Sequence, residues 1–162
     1  NRVGFVSPSG AFIVHISDLC RKRLDLTFPT LTKRTMSRLK EISPPFIRLA
    51  NPVDIFPSAT VHGMEFAYCE AMRAVLADPN VDAVVSIMIL TKELGVPSLD
   101  FLPELARKYP KKPIYISFSG DHDCNVAAKA FLEPQGIPTF PLIEDAFKAL
   151  DILFRARRHL SK

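Results

Sequence analysis

The sequence predicts an α/β fold of three layers, with a five-stranded, mostly parallel sheet in the order 2-1-3-4-5. Three observations lead there. Short β-rich runs alternate with helical stretches, the pattern of a parallel sheet covered by helices. The run from Val81 to Leu90 is almost continuously apolar, as in a central strand buried on both faces. The turns Ser7-Pro8-Ser9-Gly10 and Ser119-Gly120-Asp121 each lead from a strand into a helix.

The first strand is read over Arg2–Ser7. A helix follows over Gly10–Arg23, capped by Ser9, with Phe12, Ile16, Leu19 and Cys20 on its apolar face. A weak second strand is placed within Leu24–Leu31. Thr32 caps a small basic helix over Lys33–Ile42, which Ser43-Pro44-Pro45 ends because proline cannot continue it. Asn51-Pro52-Val53-Asp54 reads as a stiff polar turn. A helix over Gly63–Ala77 carries Met64, Tyr68, Ala71, Met72 and Val75 on one stripe, and Asp78-Pro79-Asn80 stops it. After the central strand, a helix over Asp100–Tyr109 tolerates Pro103 in its first turn. Ile114–Phe118 is the fourth strand, and the helix after it runs to Gln135 and stops at Gly136. Ile137–Phe140 is the last strand. The last helix, Leu142–His159, begins with Glu144 and Asp145 and ends in bases, which suits its dipole.

Composition sets the outer limits. The 162 residues suit one domain, 1–162, with no internal repeat, low-complexity tract or linker. No apolar run approaches the ~20 residues of a membrane span. Asn1–Val6 reads as strand, not as a signal peptide, and Asn1 in place of methionine suggests a trimmed or processed chain. Cys20, Cys69 and Cys124 form no CxxC pair, so neither a disulfide framework nor a zinc site is expected, and a reducing cytoplasm fits. The net charge is +4. Its excess gathers at Arg21–Arg23, at Lys33, Arg34, Arg38 and Lys40, and at Arg155, Arg157 and Arg158. These clusters read as solvated surface, with attraction of a phosphate-bearing ligand or nucleic acid as the alternative. No aromatic residues interleave with them, so no nucleic-acid platform is expected.

In an open parallel sheet, ligands sit beyond the carboxyl ends of the strands, beside the switch point of the strand order. Three turns meet there: Ser7–Gly10, Thr91–Ser98 and Ser119–Asp123. Helix N-termini at that edge favour anions. Ser7, Ser9, Gly10, Thr91, Lys92, Ser98, Gly120 and Asp121 are therefore the candidate phosphate or anion site; the ordinary alternative is that such turns use Ser and Gly merely to start helices. His122, between Asp121 and Asp123, is the best placed of the four histidines, while His15 and His62 read as surface or packing and His159 as part of a basic tail. No metal ligand set and no catalytic residue is assigned. Ser7-Pro8-Ser9-Gly10 is only a thin version of an FMN phosphate loop, and a phosphorelay acidic pair and a G-x-S-x-G nucleophile are missing.

The order of motifs along nearly the whole chain resembles a known family. Asn51-Pro52-Val53-Asp54-Ile55, then Asp78-Pro79-Asn80-Val81-Asp82-Ala83-Val84, resembles the N-P-x-D … D-P-x-V-D-A-V pattern of ADP-forming acetyl-CoA synthetases and their NDP-forming acyl-CoA synthetase relatives. Lys112-Pro113-Ile114, Gly120, Gly136-Ile137-Pro138-Thr139-Phe140-Pro141 and Glu144-Asp145-Ala146 agree in order. Asn51 and Asp54 are the structural motif of the match. The resemblance implies a flavodoxin-like, succinyl-CoA synthetase-like domain, a fragment of a larger chain, incomplete as a catalyst. The parent would use CoA, ADP/ATP and Mg. Its partners would be a sister flavodoxin-like domain bearing a phosphohistidine, a CoA-binding domain and an ATP-grasp domain, with a dimer as a further expectation. The helix after the third strand would point at the phosphohistidine. The family's glycines after the first strand are replaced here by Pro8, Ala11 and Phe12. The alternative the family offers is a non-catalytic, ligand-sensing role, as in fusions to an acetyltransferase.

Overall fold

The run Ala83–Leu90 is the middle strand of the sheet, and seven of its eight residues are buried. The computed structural model describes residues 1–160. In chain order the elements are β1 (Val3–Ser7), α1 (Gly10–Arg23), α2 (Lys33–Glu41), β2 (Val53–Asp54), α3 (Phe56–His62), α4 (Met64–Ala77), β3 (Ala83–Leu90), α5 (Phe101–Lys108), β4 (Ile114–Gly120), α6 (His122–Leu132), β5 (Thr139–Phe140) and α7 (Ile143–Leu160). The strand order is β2-β1-β3-β4-β5, and every pair is parallel. The predicted order is borne out, and all five strands therefore end on one edge.

Two cores flank the sheet. Alternate residues of β1 and β3 point to opposite faces. Phe5, Val85 and Ile87 pack with Ile16 of α1 and Phe147 and Leu150 of α7. Phe5, Phe28 and Phe147 form an aromatic trio with centroids 5.1–6.4 Å apart. On the other face Val6, Val84 and Met88 pack with Tyr68, Met72 and Val75 of α4 and Leu102 of α5. Gly4 lets α4 lie close against β1, since a Cβ there would stand 2.2 Å from Val75 Cγ1.

The second strand is not where the sequence places it. Leu24–Leu31 contributes one bridge, Thr27 to Arg2, and β2 is instead Val53–Asp54. The cause lies along the free edge of β1. Val3 N donates to Thr27 O at 2.8 Å, but Pro29 lacks an amide donor to continue the ladder. The Asn51 side chain takes over: its Nδ2 donates to Val3 O at 2.9 Å, and its Oδ1 accepts from Phe5 N at 3.1 Å. Those are the bonds a neighbouring strand would make. Val53 and Asp54 then pair with Val6 and Ser7, and Ile55 N donates to Ser7 O. Asn51-Pro52 is cis.

Two other local readings need adjustment, and a third holds. α3 was not foreseen; Asp54 Oδ1 accepts from Phe56 N at 3.0 Å and starts it, with Pro57 in its first turn. Ser9 stands before α1, but its side chain makes no cap bond. Its carbonyl accepts from Ile13 N instead, while its amide is held by Ser7 Oγ. Thr32 does cap α2, accepting from Thr35 N.

Candidate functional site

Because all strands are parallel, the turns after β1, β3 and β4 share the carboxyl edge. The last two are one unit. Asp121 N donates to Leu90 O at 2.8 Å, and Lys92 N donates to Asp121 Oδ2 at 2.8 Å. Gly120 makes this closure possible. Its φ is +118°, and a Cβ there would stand 2.3 Å from Leu90 O, so no side chain fits. Thr91 Oγ1 accepts from Leu94 N, and Lys92 Nζ lies 3.6 Å from Asp123 Oδ2 with both side chains mostly exposed. Thr91, Lys92, Gly120 and Asp121 are thus brought together. Asp121 is committed to the Lys92 amide, and the Lys92 ammonium, the cation of this cluster, stands beside Asp123.

Ser98 lies further along the same loop. Its amide donates to Glu65 Oε2 at 2.9 Å, tying the loop to the start of α4, and its hydroxyl donates to Asp100 Oδ2 at 2.9 Å. The beginning of α5 offers few amides. Asp100 N donates to Ser98 Oγ, Leu102 N donates to Leu99 O, and Pro103 has no N–H. Asp100 and Glu104 already place negative charge there.

The turn after β1 is separate from this cluster. Ser7 is buried, and its hydroxyl donates to Ser9 O at 3.0 Å. A Cβ on Gly10 would stand 4.0 Å from Asp54 Oδ2, so a carboxylate lies beside the first turn of α1. An added anion there meets a like charge. His122 opens α6, and its two flanking acids face Lys92 rather than the imidazole. His15 has the close acid partner, with Nε2 2.7 Å from Glu144 Oε1.

Among the described residues, no group of three or more His, Cys, Asp or Glu side chains is placed to hold a metal ion. No described helix is long and apolar enough to cross a membrane. The three cysteines are free. Burial, reinforced by Asp151, pushes the Cys20 thiol up to about 12, far from a reactive thiolate.

The motif residues hold the scaffold. Asn51 completes the edge of β1, and Asp54 starts α3. Asp78, fully buried, accepts from Thr32 N at 2.7 Å, Thr32 Oγ1 at 3.0 Å and Asn80 N at 2.8 Å. Asp82 accepts from Arg2 Nη2 at 2.6 Å and from Arg2 N at 3.0 Å.

Known proteins are similar to this chain in sequence and in fold. A curated Archaeoglobus fulgidus protein, acetate–CoA ligase [ADP-forming] II, is 30% identical over 152 residues, which is 93% of this chain and 22% of that ligase. The alpha subunit of the Pyrococcus furiosus acetate–CoA ligase [ADP-forming] II is 28% identical over 164 aligned positions, covering 99% of this chain and 35% of the subunit. The chain is homologous to one segment of the ADP-forming acetate–CoA ligases. It spans about a fifth to a third of the length of these ligase relatives. A crystal structure from Pyrococcus horikoshii superposes with a TM-score of 0.77 at 28% identity, over 92% of this chain and 34% of that one. No protein-family model matches the chain.

One feature of the ligase homologue had no signal in periodicity. Phe56, Val61 and Phe66 are exposed around α3 and the start of α4, and Leu94 and Val96 are exposed in the loop after β3. The Glu65–Ser98 bond holds these two groups side by side. Beside them runs an open groove of about 490 Å³ over Val96, Leu99, Ala127 and Phe131, with Lys92 and Asp123 at one end. Exposed apolar side chains gathered at one edge are a common mark of an interaction surface. Helical spacing reveals which residues face the core, but not which of the others gather at one edge.

Proposed function

We propose that this chain is one module of an NDP-forming acyl-CoA synthetase. The whole enzyme would convert acyl-CoA, NDP and phosphate to acid, CoA and NTP. The observation that carries this reading is the end-to-end match to a segment of the ADP-forming ligases, 93–99% of this chain against 22–35% of theirs. CoA, ADP/ATP and Mg would be held by the CoA-binding and ATP-grasp domains. This domain's part is to pack its carboxyl edge on the sister flavodoxin-like domain and support the phosphohistidine there.

The candidate anion residues divide by role in this reading. Lys92 supplies a positive charge, and Thr91 a hydroxyl, toward a phosphoryl group presented by the partner. Gly120 and Asp121 hold Lys92 in place. Ser98 fixes the loop to α4, so the apolar rim keeps one shape. Ser7, Ser9 and Gly10 shape the neighbouring turn, where Asp54 weakens the attraction for an anion. Cytoplasmic location and a dimer go with this proposal.

A turnover assay tests it. The 162-residue chain alone should give no acyl-CoA synthetase activity, and adding the CoA-binding, phosphohistidine and ATP-grasp domains as a second polypeptide should restore it. Turnover by the chain alone, or no effect of adding it, would contradict the proposal. In the restored enzyme, Lys92→Gln should lower kcat about 100-fold, the scale of losing one charge-stabilising donor.

A further inference from the structure

The basic clusters of the sequence fare differently in the fold. Arg21 and Lys22 pair with Asp18 on their own helix. Arg155 and Arg158 pair with Asp151 and Asp25. Two bases of α2, Arg34 and Arg38, line a groove between α2 and the C-terminal ends of α4 and α5, at the amino edge of the sheet, which the proposed ligase role does not use.

The groove has a volume of about 890 Å³, within the range of roughly 300–1,000 Å³ usual for small-molecule sites. Four cations line it, Arg34 and Arg38 from α2, Arg73 from α4 and Lys108 from α5, against two acids, Glu41 and Glu70. Glu70 is buried and accepts from both Arg38 and Arg73, and Arg38 Nη1 also donates to Glu41 at 2.9 Å. The carboxylate thereby fixes two guanidinium groups in the wall, removing rotamer freedom that a bound anion would otherwise have to remove. A guanidinium has five N–H donors, so both retain unused ones. Arg34 forms no ion pair among the described residues, and Lys108 lies over the ring of Tyr109, 5.7 Å from its centroid. Neither cation has a carboxylate partner among the described residues. The rest of the lining is three hydroxyl side chains, Thr32, Thr35 and Ser37, and an apolar floor of Ala74, Ala77, Pro79 and the half-buried Tyr109. A merely solvated basic face has neither a buried acid setting its arginines nor an apolar floor.

We propose that this groove binds a phosphate-bearing small molecule with a planar ring, a nucleotide by class. Its phosphates lie against Arg34, Arg38, Arg73 and Lys108, and its ring rests on Tyr109. The site stands apart from the carboxyl edge, so it holds or fails independently of the ligase reading.

An NMR titration of the chain with ADP, inorganic pyrophosphate and adenosine tests this. ADP should shift the amides of Arg34–Arg38, of Arg73–Ala77 and of Tyr109. Pyrophosphate should shift the first two groups and bind more weakly, and adenosine should bind weakest. The double variant Arg34→Gln, Lys108→Gln alters two exposed side chains without ion-pair partners, and should keep the spectrum of the fold while weakening ADP about tenfold. Raising the salt from about 0.05 to 0.5 M should weaken ADP similarly. Absence of ADP binding at millimolar concentration, or undiminished affinity in the double variant, would overturn the site. So would shifts confined to Lys92 and its neighbours, which would place the nucleotide at the other edge. Pyrophosphate binding as tightly as ADP would overturn the role given to Tyr109.

Discussion

The two edges of the sheet are finished to different degrees. At the amino edge the backbone is tied down by side chains from distant parts of the chain. Lys112 Nζ donates to Leu76 O at 2.8 Å and to Asp78 O at 2.7 Å, Asp78 collects Thr32 and Asn80, and Asp82 collects Arg2. At the carboxyl edge the turn after β3 is tied by exposed bonds such as Lys92 N to Asp121 and Ser98 N to Glu65, and Phe56, Val61, Phe66, Leu94 and Val96 face solvent. An edge whose polar groups are satisfied within the chain needs no partner for its stability. An edge that leaves aromatic and aliphatic side chains outside gains most when another surface covers them.

Mutations should separate the two edges. The largest effect is expected at Asp78. Asp78→Ala leaves three donors without their acceptor at a fully buried position and should cost about 3 kcal/mol. That corresponds to a Tm lower by roughly 6–12 °C in a thermal melt. A loss under about 1 kcal/mol would show that the amino edge is not the anchored one.

Tyr68 should come next. Its hydroxyl donates to Ile87 O and accepts from Ile89 N, just past the point where β1 stops pairing with β3 at Ser86. Tyr68→Phe keeps the ring and strands both groups, for an expected ~1–2 kcal/mol in chemical denaturation. The same burial raises the phenol's pKa above the ordinary tyrosine value, so its hydroxyl stays protonated as the donor role requires.

A smaller effect is expected with acid. The side-chain hydrogen bond from Arg2, joined by the Arg2 amide, outweighs burial and holds the Asp82 carboxyl well below the usual carboxylate range. Because the folded value is the lower one, the stabilisation is complete above the unfolded pKa near ~4 and is lost as pH falls from there through the folded value. Asp82→Asn should flatten that part of the stability profile and leave neutral-pH behaviour of the carboxyl edge untouched. An unchanged acid slope would remove Asp82 from the account.

The smallest effect on stability belongs to the carboxyl rim. Leu94→Ser and Val96→Ser should each change the stability of the isolated chain by less than about 0.5 kcal/mol, because neither side chain is buried in it. A larger loss would mean that the rim is part of the core.

What the sequence made legible follows from the same physics. The helix Gly10–Arg23 is legible to the residue, the helices Gly63–Ala77 and Leu142–His159 to within one, and the central strand to within two. The failure was β2. A two-residue strand has too few side chains for a period, and the longer Leu24–Leu31 stretch looked more strand-like. The deciding group was the Asn51 amide acting as backbone, which no propensity records. The candidate anion residues fall together on the carboxyl edge because parallel strands dictate it. That Asp121 would face inward to the Lys92 amide, and Asp54 would lie near Gly10, depended on contacts 29 and 44 positions apart in sequence.

Amide hydrogen exchange tests the unfinished edge most directly, with the chain measured alone and mixed with a polypeptide carrying the CoA-binding and phosphohistidine domains. The predicted result is new protection at Phe56–Phe66 and Thr91–Ser98, with the faces of α1 and α7 unchanged. Protection centred on α1 and α7, or none anywhere at a concentration that restores turnover, would contradict the assignment of the carboxyl rim as the docking face.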